Sequence, residues 1–152
     1  MHFYSLIEEL VKNKKVRIYV DMDGVIASYD IGKPYDFDKK RPLTTNINLL
    51  RKISELDKIE LFILSICKKN FQEKEKNDWL DIYAPFFKKE NRIILSKERY
   101  PGITSKELKA NYLKQLNCSE QLVLIDDDNQ ILFHVREQVS DIILFQDSEL
   151  VD

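Results

Sequence analysis

Residues 16–25 read VRIYVDMDGV, and this stretch decides the fold. Its first half is a β-branched and apolar run, which is typical of a strand buried on both faces in a parallel sheet. Asp21 and Asp23 follow at the carboxyl end of that strand, where open α/β sheets bind ligands. Two carboxylates beside an apolar strand are costly to keep ionised, because desolvation and like charge both oppose it. The stretch therefore predicts a divalent cation at this edge of a sheet.

The composition is that of an ordinary globular chain. Among 152 residues, 43% are hydrophobic and 33% are charged, which predicts one folded domain over residues 1–152. The formal net charge of −2 gives no clear case for a nucleic-acid surface or for an anionic membrane. No apolar run reaches the roughly 18 to 20 residues of a membrane span, and the first positive charges follow the first apolar segment. We therefore expect a cytoplasmic protein in which Cys67 and Cys118 are reduced thiols.

Helical and strand patterns alternate along the rest of the chain. Apolar spacing predicts helices near residues 3–11, 44–56, 70–83, 104–116 and 131–135, and strands at 59–66, 92–95, 122–125 and 142–145. Thr44 or Thr45 is expected to cap the second helix, and Thr104 with Glu107 has the spacing of a capping box. Short strands joined by helices predict right-handed crossovers. The predicted class is α/β, a doubly wound, Rossmann-like three-layer sandwich with a central parallel sheet of about five strands.

A second acidic cluster follows the apolar run at residues 122–125 and comprises Asp126, Asp127 and Asp128. Because parallel strands share one carboxyl edge, this cluster and Asp21 are expected to converge there. Three or more carboxylates around one point need a cation, and hard oxygen ligands favour Mg²⁺. An EF-hand loop does not fit, because its sixth position requires glycine and holds isoleucine in both clusters. Each cluster alone also fits solvated turn or capping residues.

These motifs resemble those of a known family. DMDGV after the first strand, FILS closing the second, a later lysine and LIDD after the fourth are similar to the motifs of the haloacid dehalogenase superfamily, over about residues 16–146. The resemblance implies a haloacid dehalogenase-like fold and a Mg²⁺-dependent phosphatase that hydrolyses a phosphomonoester through an aspartyl-phosphate. The stretches KANYL and EKEKNDWLD resemble segments of nucleotidase-like members, which implies a nucleotide as a candidate substrate.

The resemblance also implies catalytic and substrate-binding roles. Asp21 is the expected nucleophile. Asp23 is expected to protonate the leaving oxygen and then to deprotonate the attacking water, which requires an environment that holds its pKa near the working pH. Gly24 and Ser65 are expected to contact substrate: the glycine lets the chain turn sharply beneath the phosphate, and the hydroxyl bonds a phosphoryl oxygen. Ser65 also fits a plain capping or turn serine.

The same resemblance implies the ligands of a Mg²⁺ ion. They are Asp21, Asp126 and the main-chain carbonyl of Asp23, with Asp127 as a further ligand or as the holder of a bound water. Asp128 is expected to face solvent or to cap the following helix.

A lysine is expected to offset the negative charge that gathers on Asp21 and on the phosphoryl oxygens. Lys109 begins the KANYL stretch and is the first candidate for this catalytic and substrate-binding role. Lys106, in the first turn of the same helix, is the second, and Lys97 is the third. Each of the three also fits a solvated surface lysine.

Residues 27–42 show neither helical nor strand periodicity and predict a long excursion above the sheet, with a minimal cap or none. Its aromatic and basic side chains suit stacking on a base and pairing with phosphate, and they equally suit packing at the rim. They are Tyr29, Lys33, Tyr35, Phe37, Lys39 and Arg41. An open site of this kind would suit a large or polymeric phosphorylated substrate, or an oligomer whose neighbour closes it. No pattern in the sequence specifies an oligomeric state.

Two other functions use the same residue types. A phospho-accepting receiver domain also combines an acidic pair with a metal, an aspartate, a hydroxyl and a lysine. Its phosphorylated aspartate ends the third strand, whereas the acidic pairs here end the first and fourth, so the order disfavours it. A non-catalytic or regulatory protein would keep the phosphate-binding fold without turnover. The leading expectation is an enzyme that acts on a small phosphorylated substrate.

Overall fold

A computed structural model describes residues 2–29 and 37–151 of the chain. Within these residues the helices are α1 (Phe3–Leu10), α2 (Thr44–Ser54), α3 (Phe71–Tyr83), α4 (Ser105–Lys114) and α5 (Asn129–Gln138). The strands are β1 (Val16–Val20), β2 (Ile59–Cys67), β3 (Arg92–Ser96), β4 (Gln121–Asp126) and β5 (Ile143–Gln146). Short 3-10 helices occur at Phe37–Lys39, Lys89–Asn91, Lys97–Arg99 and Asp147–Glu149. Every predicted helix and strand is present, with ends that differ from the predicted ones by a few residues.

The strands form one parallel sheet in the order β3-β2-β1-β4-β5. β1 lies in the middle because its sequence is apolar on both faces, and Arg17 is its one residue that is not fully buried. The polar ends of the strands point to the same edge, since all strands run in one direction. This arrangement confirms the predicted α/β class and its five-stranded parallel sheet.

Helices cover both faces of the sheet. On one face, Ile18 and Val20 contribute to a core that also contains side chains of α1, α2 and α3, among them Phe3, Ile7, Leu50, Ile53 and Trp79. On the other face, Tyr19 and Leu124 belong to a core shared with α4 and α5, including Leu113 and Val135. Each such buried apolar side chain contributes about 1.5 to 3 kcal/mol. The result is the expected Rossmann-like three-layer sandwich.

The helix ends follow the predicted capping chemistry in part. Thr104 Oγ1 accepts a hydrogen bond from the backbone N–H of Glu107 at 3.3 Å, and the Glu107 side chain bonds back to Thr104, which confirms the capping box. The expected cap of α2 by one of its first two threonines is wrong, because Leu43 occupies the N-cap. Leu43 is held there by its backbone N–H, which donates to the carbonyl of Ile26 at 2.8 Å.

The two ends of the predicted excursion are fastened to each other. The backbone N–H of Ser28 donates to the carbonyl of Arg41 at 2.8 Å, and the N–H of Arg41 donates to Ser28 Oγ at 3.0 Å. The 3-10 helix Phe37–Lys39 precedes the second of these residues. The expected base-stacking and phosphate-pairing residues Lys33 and Tyr35 lie outside the described residues.

Other sequence expectations concern membranes and thiols. None of the helices in the described ranges is both long enough and apolar enough to cross a lipid bilayer. Cys67 and Cys118 are both free thiols, the first buried and the second half-buried, as expected.

Candidate active site

The first and fourth strands end side by side at the carboxyl edge of the sheet. Val20 pairs with Ile125 in parallel register, and the backbone N–H of Asp21 donates to the carbonyl of Ile125 at 3.0 Å. Asp21 therefore follows β1 at the level where Asp126 ends β4. The strand order reverses between β1 and β4, and α/β sheets bind ligands in the crevice at such a reversal.

Three carboxylates meet at this crevice. Asp21, Asp126 and Asp127 each place one oxygen within 4.8 Å of the others. Asp126 is 0% exposed and Asp21 is 7% exposed, so two of the three are buried. Asp126 Oδ1 accepts a hydrogen bond from the backbone N–H of Asp128 at 3.0 Å, which fixes its side chain. The side chain of Asp128 caps α5 by accepting from the N–H of Gln130 at 2.8 Å, one of its two expected roles.

Of the three candidate lysines, Lys109 reaches the carboxylate cluster. Its Nζ lies 3.0 Å from Asp21 Oδ1 and donates to Asp126 Oδ2 at 2.6 Å, and the residue is 2% exposed. Burial would lower the pKa of Lys109, but the two carboxylates outweigh that effect and raise the pKa above its usual value. Lys106 is exposed on the same helix, and Lys97 lies in the 3-10 helix after β3.

The cluster carries more negative charge than its own lysine balances. Burial raises the pKa of Asp21 well above its usual range, with Asp126 adding to the rise and Lys109 opposing it. Burial and the charge of Asp126 likewise raise the pKa of Asp127 to about 6. If all three carboxylates are ionised, they and the single ammonium have a formal charge of −2, which one divalent cation would neutralise. Such a set of oxygen donors fits Mg²⁺.

Gly24 makes room for one of these carboxylates. Its φ of +80° lies in the left-handed region that residues with a Cβ rarely adopt. A Cβ at this position would lie 2.1 Å from Asp127 Oδ2 and 2.6 Å from its Cγ. The N–H of Gly24 closes the turn by donating to the carbonyl of Ala27 at 2.8 Å. The expected sharp turn is present at Gly24, and the side chain that needs the absence of a Cβ there is Asp127.

Asp23 belongs to a second group of charges. Its carboxylate pairs with Lys40 Nζ at 2.5 Å and with Lys76 Nζ at 3.2 Å. Burial would raise the pKa of Asp23, but the two lysines more than offset it and hold the pKa below its usual value. The expected proton-carrying role needs a pKa near the working pH, and this pairing favours the anion instead. The Asp23 side chain also lies outside the group of three clustered carboxylates.

Ser65 lies on β2 and is fully buried. Lys76 Nζ donates to Ser65 Oγ at 2.6 Å and to the carbonyl of Ile66 at 2.9 Å. Because Ser65 Oγ accepts a hydrogen bond from Lys76, its own O–H can donate to a different acceptor. The geometry thus links Ser65 to Asp23 through Lys76, and it orients the hydroxyl as a donor.

Lys40 and Lys76 are site residues that sequence reasoning missed. Lys76 is 3% exposed and shares the buried face of α3 with Gln72, Trp79 and Leu80. The spacing of these four residues is that of one helix face, so periodicity could have identified Lys76. Lys40 is 7% exposed and lies in an irregular segment, where no periodicity distinguishes it from the neighbouring basic residues.

Known structures contain the same fold. No family model matches the sequence, and no curated protein does. A solved chain of a Pnkp1/Rnl/Hen1 complex matches with a TM-score of 0.68 and 18% identity, over 88% of this chain and 46% of that chain. A chain of the Pnkp1/Rnl/Hen1 RNA repair complex matches with a TM-score of 0.67 and 17% identity, over 88% of this chain and 42% of that chain. The fold is shared.

These comparisons correct the family expectation. They return chains of Pnkp1/Rnl/Hen1 complexes, one of them named as an RNA repair complex, so the predicted membership in the haloacid dehalogenase superfamily is wrong. The chain spans less than half the length of each similar chain. At this sequence identity, structural similarity shows that the architecture is shared. The chemistry must be inferred from the residues of the site.

Proposed function

We propose that this chain is a Mg²⁺-dependent phosphatase that hydrolyses a phosphomonoester through an aspartyl-phosphate on Asp21. The observation that carries the proposal is the meeting of Asp21, Asp126 and Asp127 at the carboxyl edge of the sheet, with Lys109 bonded to the first two. Phosphoryl transfer depends mainly on positioning and charge neutralisation. A carboxylate nucleophile beside a cation site and a buried lysine supplies both.

The metal would be held by Asp21, Asp126 and Asp127. When bound, Mg²⁺ neutralises these carboxylates and the charge of the phosphoryl oxygens. Lys109 keeps the carboxylates of Asp21 and Asp126 together, because its ammonium bonds to both. The backbone N–H of Asp128 holds Asp126 in place from the other side.

The reaction then has two balanced steps. A carboxylate oxygen of Asp21 forms a bond to phosphorus while the ester bond breaks, and Asp23 gives a proton to the departing oxygen. Water next attacks the aspartyl-phosphate, Asp23 takes its proton, and inorganic phosphate leaves with Asp21 restored. The Ser65 hydroxyl donates a hydrogen bond to a phosphoryl oxygen and keeps its proton. Lys76 and Lys40 lower the pKa of Asp23, and the negative charge of the phosphoryl group bound at Asp21 would oppose this effect and favour protonation of Asp23.

The proposed substrate is a small phosphorylated molecule, with a nucleotide as the first candidate. One of the similar chains belongs to a complex named for RNA repair, so a terminal phosphate of RNA is a further candidate. The cytoplasm is the proposed compartment, which agrees with the free thiols of Cys67 and Cys118.

Release of inorganic phosphate tests this proposal. The purified chain is incubated with Mg²⁺ or EDTA and with sugar phosphates, nucleoside monophosphates and short RNAs that carry a terminal phosphate. We expect turnover that EDTA abolishes and that Asp21→Asn lowers by at least about 10³-fold, as loss of a nucleophile does. The matched control Asp57→Asn alters an exposed aspartate before β2 and should retain activity. Full activity of Asp21→Asn would refute the nucleophile, and no release from any substrate would refute the phosphatase.

The strand order speaks against a receiver-like signalling domain. Receiver domains use the order β2-β1-β3-β4-β5, whereas this sheet has the order β3-β2-β1-β4-β5. In addition, β3 ends in Ser96 where a receiver carries its phosphorylated aspartate. A non-catalytic phosphate-binding protein is the second candidate, and the pairing of Asp23 with two lysines favours it. It predicts binding of phosphorylated compounds without release of phosphate.

A further inference from the structure

Lys40, Asp23 and Lys76 form a cationic group beside the acidic cluster. The lysines are 7% and 3% exposed, so both ammonium groups are almost completely buried. Among the described residues, Asp23 is the carboxylate that both of them contact. Two ammonium groups and one carboxylate leave a formal excess of one positive charge, and buried cations are costly when they lack partners.

Aromatic rings and a backbone hydrogen bond hold this group in place. The centroid of the Phe37 ring lies 5.1 Å from Lys40 Nζ and 5.0 Å from Lys76 Nζ. Trp79 Nε1 donates to the backbone carbonyl of Lys40 at 3.0 Å. Lys76 Nζ already bonds to Asp23, Ser65 and the carbonyl of Ile66, whereas Asp23 is the hydrogen-bond acceptor of Lys40 Nζ among the described residues. Cation–π contacts contribute less than charge-assisted hydrogen bonds, so an anion can complete the coordination of Lys40, with the charge of Lys76 adding to its attraction.

A cavity of about 290 Å³ opens beside these lysines. Its walls include Asp23, Lys40 and Lys76, together with the exposed Lys68. The described residues that line it therefore contribute three basic side chains and one acidic side chain. This volume is at the small end for ligand pockets and suits one compact charged group. The walls thus select an anion, whereas the neighbouring cluster around Asp21 selects a cation.

We propose that this cavity binds a second phosphate group of the substrate, on the leaving-group side of the phosphate that is transferred. The inference rests on the proposed phosphatase function, which assigns the transferred phosphate to Asp21 and Lys109. Asp23 lines the cavity and pairs with its lysines, and the proposed mechanism has Asp23 protonate the leaving oxygen, so the cavity is assigned to the leaving-group side. The substrate is therefore a phosphomonoester whose alcohol carries another phosphate, either a monoester or a phosphodiester.

Binding of inorganic pyrophosphate in EDTA tests the cavity without turnover. Calorimetry would compare the wild type with Lys76→Met, Lys40→Gln and Lys74→Gln. Lys74 is the control, since it is an exposed lysine of the same helix and pairs with Asp78. We expect affinity to fall about tenfold to a hundredfold in the first two variants, the range of one charge-assisted hydrogen bond, and to stay unchanged in the control. Lys40→Gln keeps the backbone carbonyl that Trp79 contacts, so it decides the matter if Lys76→Met does not fold.

Kinetics with Mg²⁺ test the position of the second phosphate. The test compares kcat/KM values as ratios. The first ratio is kcat/KM for a nucleoside 3′,5′-bisphosphate divided by kcat/KM for the nucleoside monophosphate. The second ratio uses a dinucleotide with a terminal phosphate in place of the bisphosphate. We expect at least one ratio to exceed about 10 in the wild type and to approach 1 in Lys40→Gln. A high ratio for the bisphosphate would show that the cavity accepts a phosphate monoester. A high ratio for the dinucleotide would show that it accepts a phosphodiester.

Outcomes for the cavity and for the phosphatase are separable. Equal pyrophosphate affinity in the wild type, Lys40→Gln and Lys76→Met would overturn the cavity proposal, whatever the activity. Ratios near 1 in the wild type would also overturn it while leaving the phosphatase intact. Absence of phosphate release from every substrate would overturn the phosphatase, and the pyrophosphate titration would still decide whether the lysines form an anion site.

Discussion

Lys109→Met tests how strongly the carboxylate cluster depends on its own ammonium group. The change removes an Nζ that lies 3.0 Å from Asp21 Oδ1 and 2.6 Å from Asp126 Oδ2. Methionine is flexible and similar in length, so packing changes little. The two carboxylates are 7% and 0% exposed and would face each other without a cation. Removing one partner of a buried ion pair costs about 3 to 5 kcal/mol, because the remaining charge stays desolvated.

The expected size of the effect depends on the metal. In a chain of 152 residues, each 1 kcal/mol lowers Tm by about 2 to 4 °C, so Lys109→Met should melt roughly 6 to 20 °C below the wild type in EDTA. Mg²⁺ should restore part of this loss, since a cation bound to the folded state adds about 2.7 kcal/mol at one hundred times its Kd. Phosphate release should still fall by about 10²- to 10³-fold, as on removal of one electrostatic stabiliser.

Circular dichroism melting curves in EDTA and in Mg²⁺ would measure these shifts. Lys106→Met is the matched control, because Lys106 is exposed on the same helix and its loss should change stability by no more than about 0.5 kcal/mol. If Lys109→Met and Lys106→Met melted together in EDTA, the ammonium of Lys109 would not stabilise the cluster. The electrostatic reasoning about the site would then be refuted.

Three other changes test the site and its support. Gly24→Ala should lower the free energy of unfolding, measured in urea, by about 1 to 3 kcal/mol and should weaken Mg²⁺ binding. The reasons are that φ at this position is +80° and that the new Cβ would lie 2.1 Å from Asp127 Oδ2. Unchanged stability and affinity would contradict that close approach. Thr104→Ala should cost about 1 kcal/mol through loss of the helix cap. Hydrogen bonds to Thr104 lower the pKa of Glu107, so the stabilisation they give is present above pH 4.5 and lost as pH falls through the lowered pKa. An NMR titration should find the pKa of Glu107 closer to 4.5 in Thr104→Ala, and equal values in both proteins would argue against the capping box. Mg²⁺ should raise the Tm of the wild type by roughly 5 to 11 °C and that of Asp126→Asn by much less, and an equal rise would put the cation elsewhere.

The sheet and its acidic edge were predictable from local sequence. LVLI is a continuous apolar run, and VRIYV is apolar apart from Arg17. Both runs are followed by aspartates, and parallel strands bring such ends to one edge because their directions agree. The convergence of Asp21 and Asp126 follows from that geometry. Lys109 lies one helical turn before the buried Leu113, so helical periodicity also places it on the inner face of α4. Lys106 belongs to the exposed part of the same helix.

Other features depend on tertiary contacts that no local pattern encodes. The pairing of Asp23 with Lys40 and Lys76 joins three separate segments, and it reverses the expectation that the pKa of Asp23 lies near the working pH. The N-cap at Leu43 is set by a hydrogen bond to Ile26 and overrides the capping preference of threonine. The family expectation rested on a few residues at the ends of strands. Such residues constrain the chemistry at the carboxyl edge of the sheet, but they do not specify the family to which the rest of the chain belongs.

Trp79 is the single tryptophan of the chain, and it is 1% exposed. Its indole bonds to the carbonyl of Lys40, and its ring lies 5.9 Å from that of Phe37 and 4.9 Å from that of Tyr83. Because there is one indole, its fluorescence emission reports the environment of a single defined location, and no added label is needed. Emission at short wavelength would report the segment around Lys40 docked on α3, and a red shift would report its release into water. The chain carries its own optical reporter for the lysine side of the site.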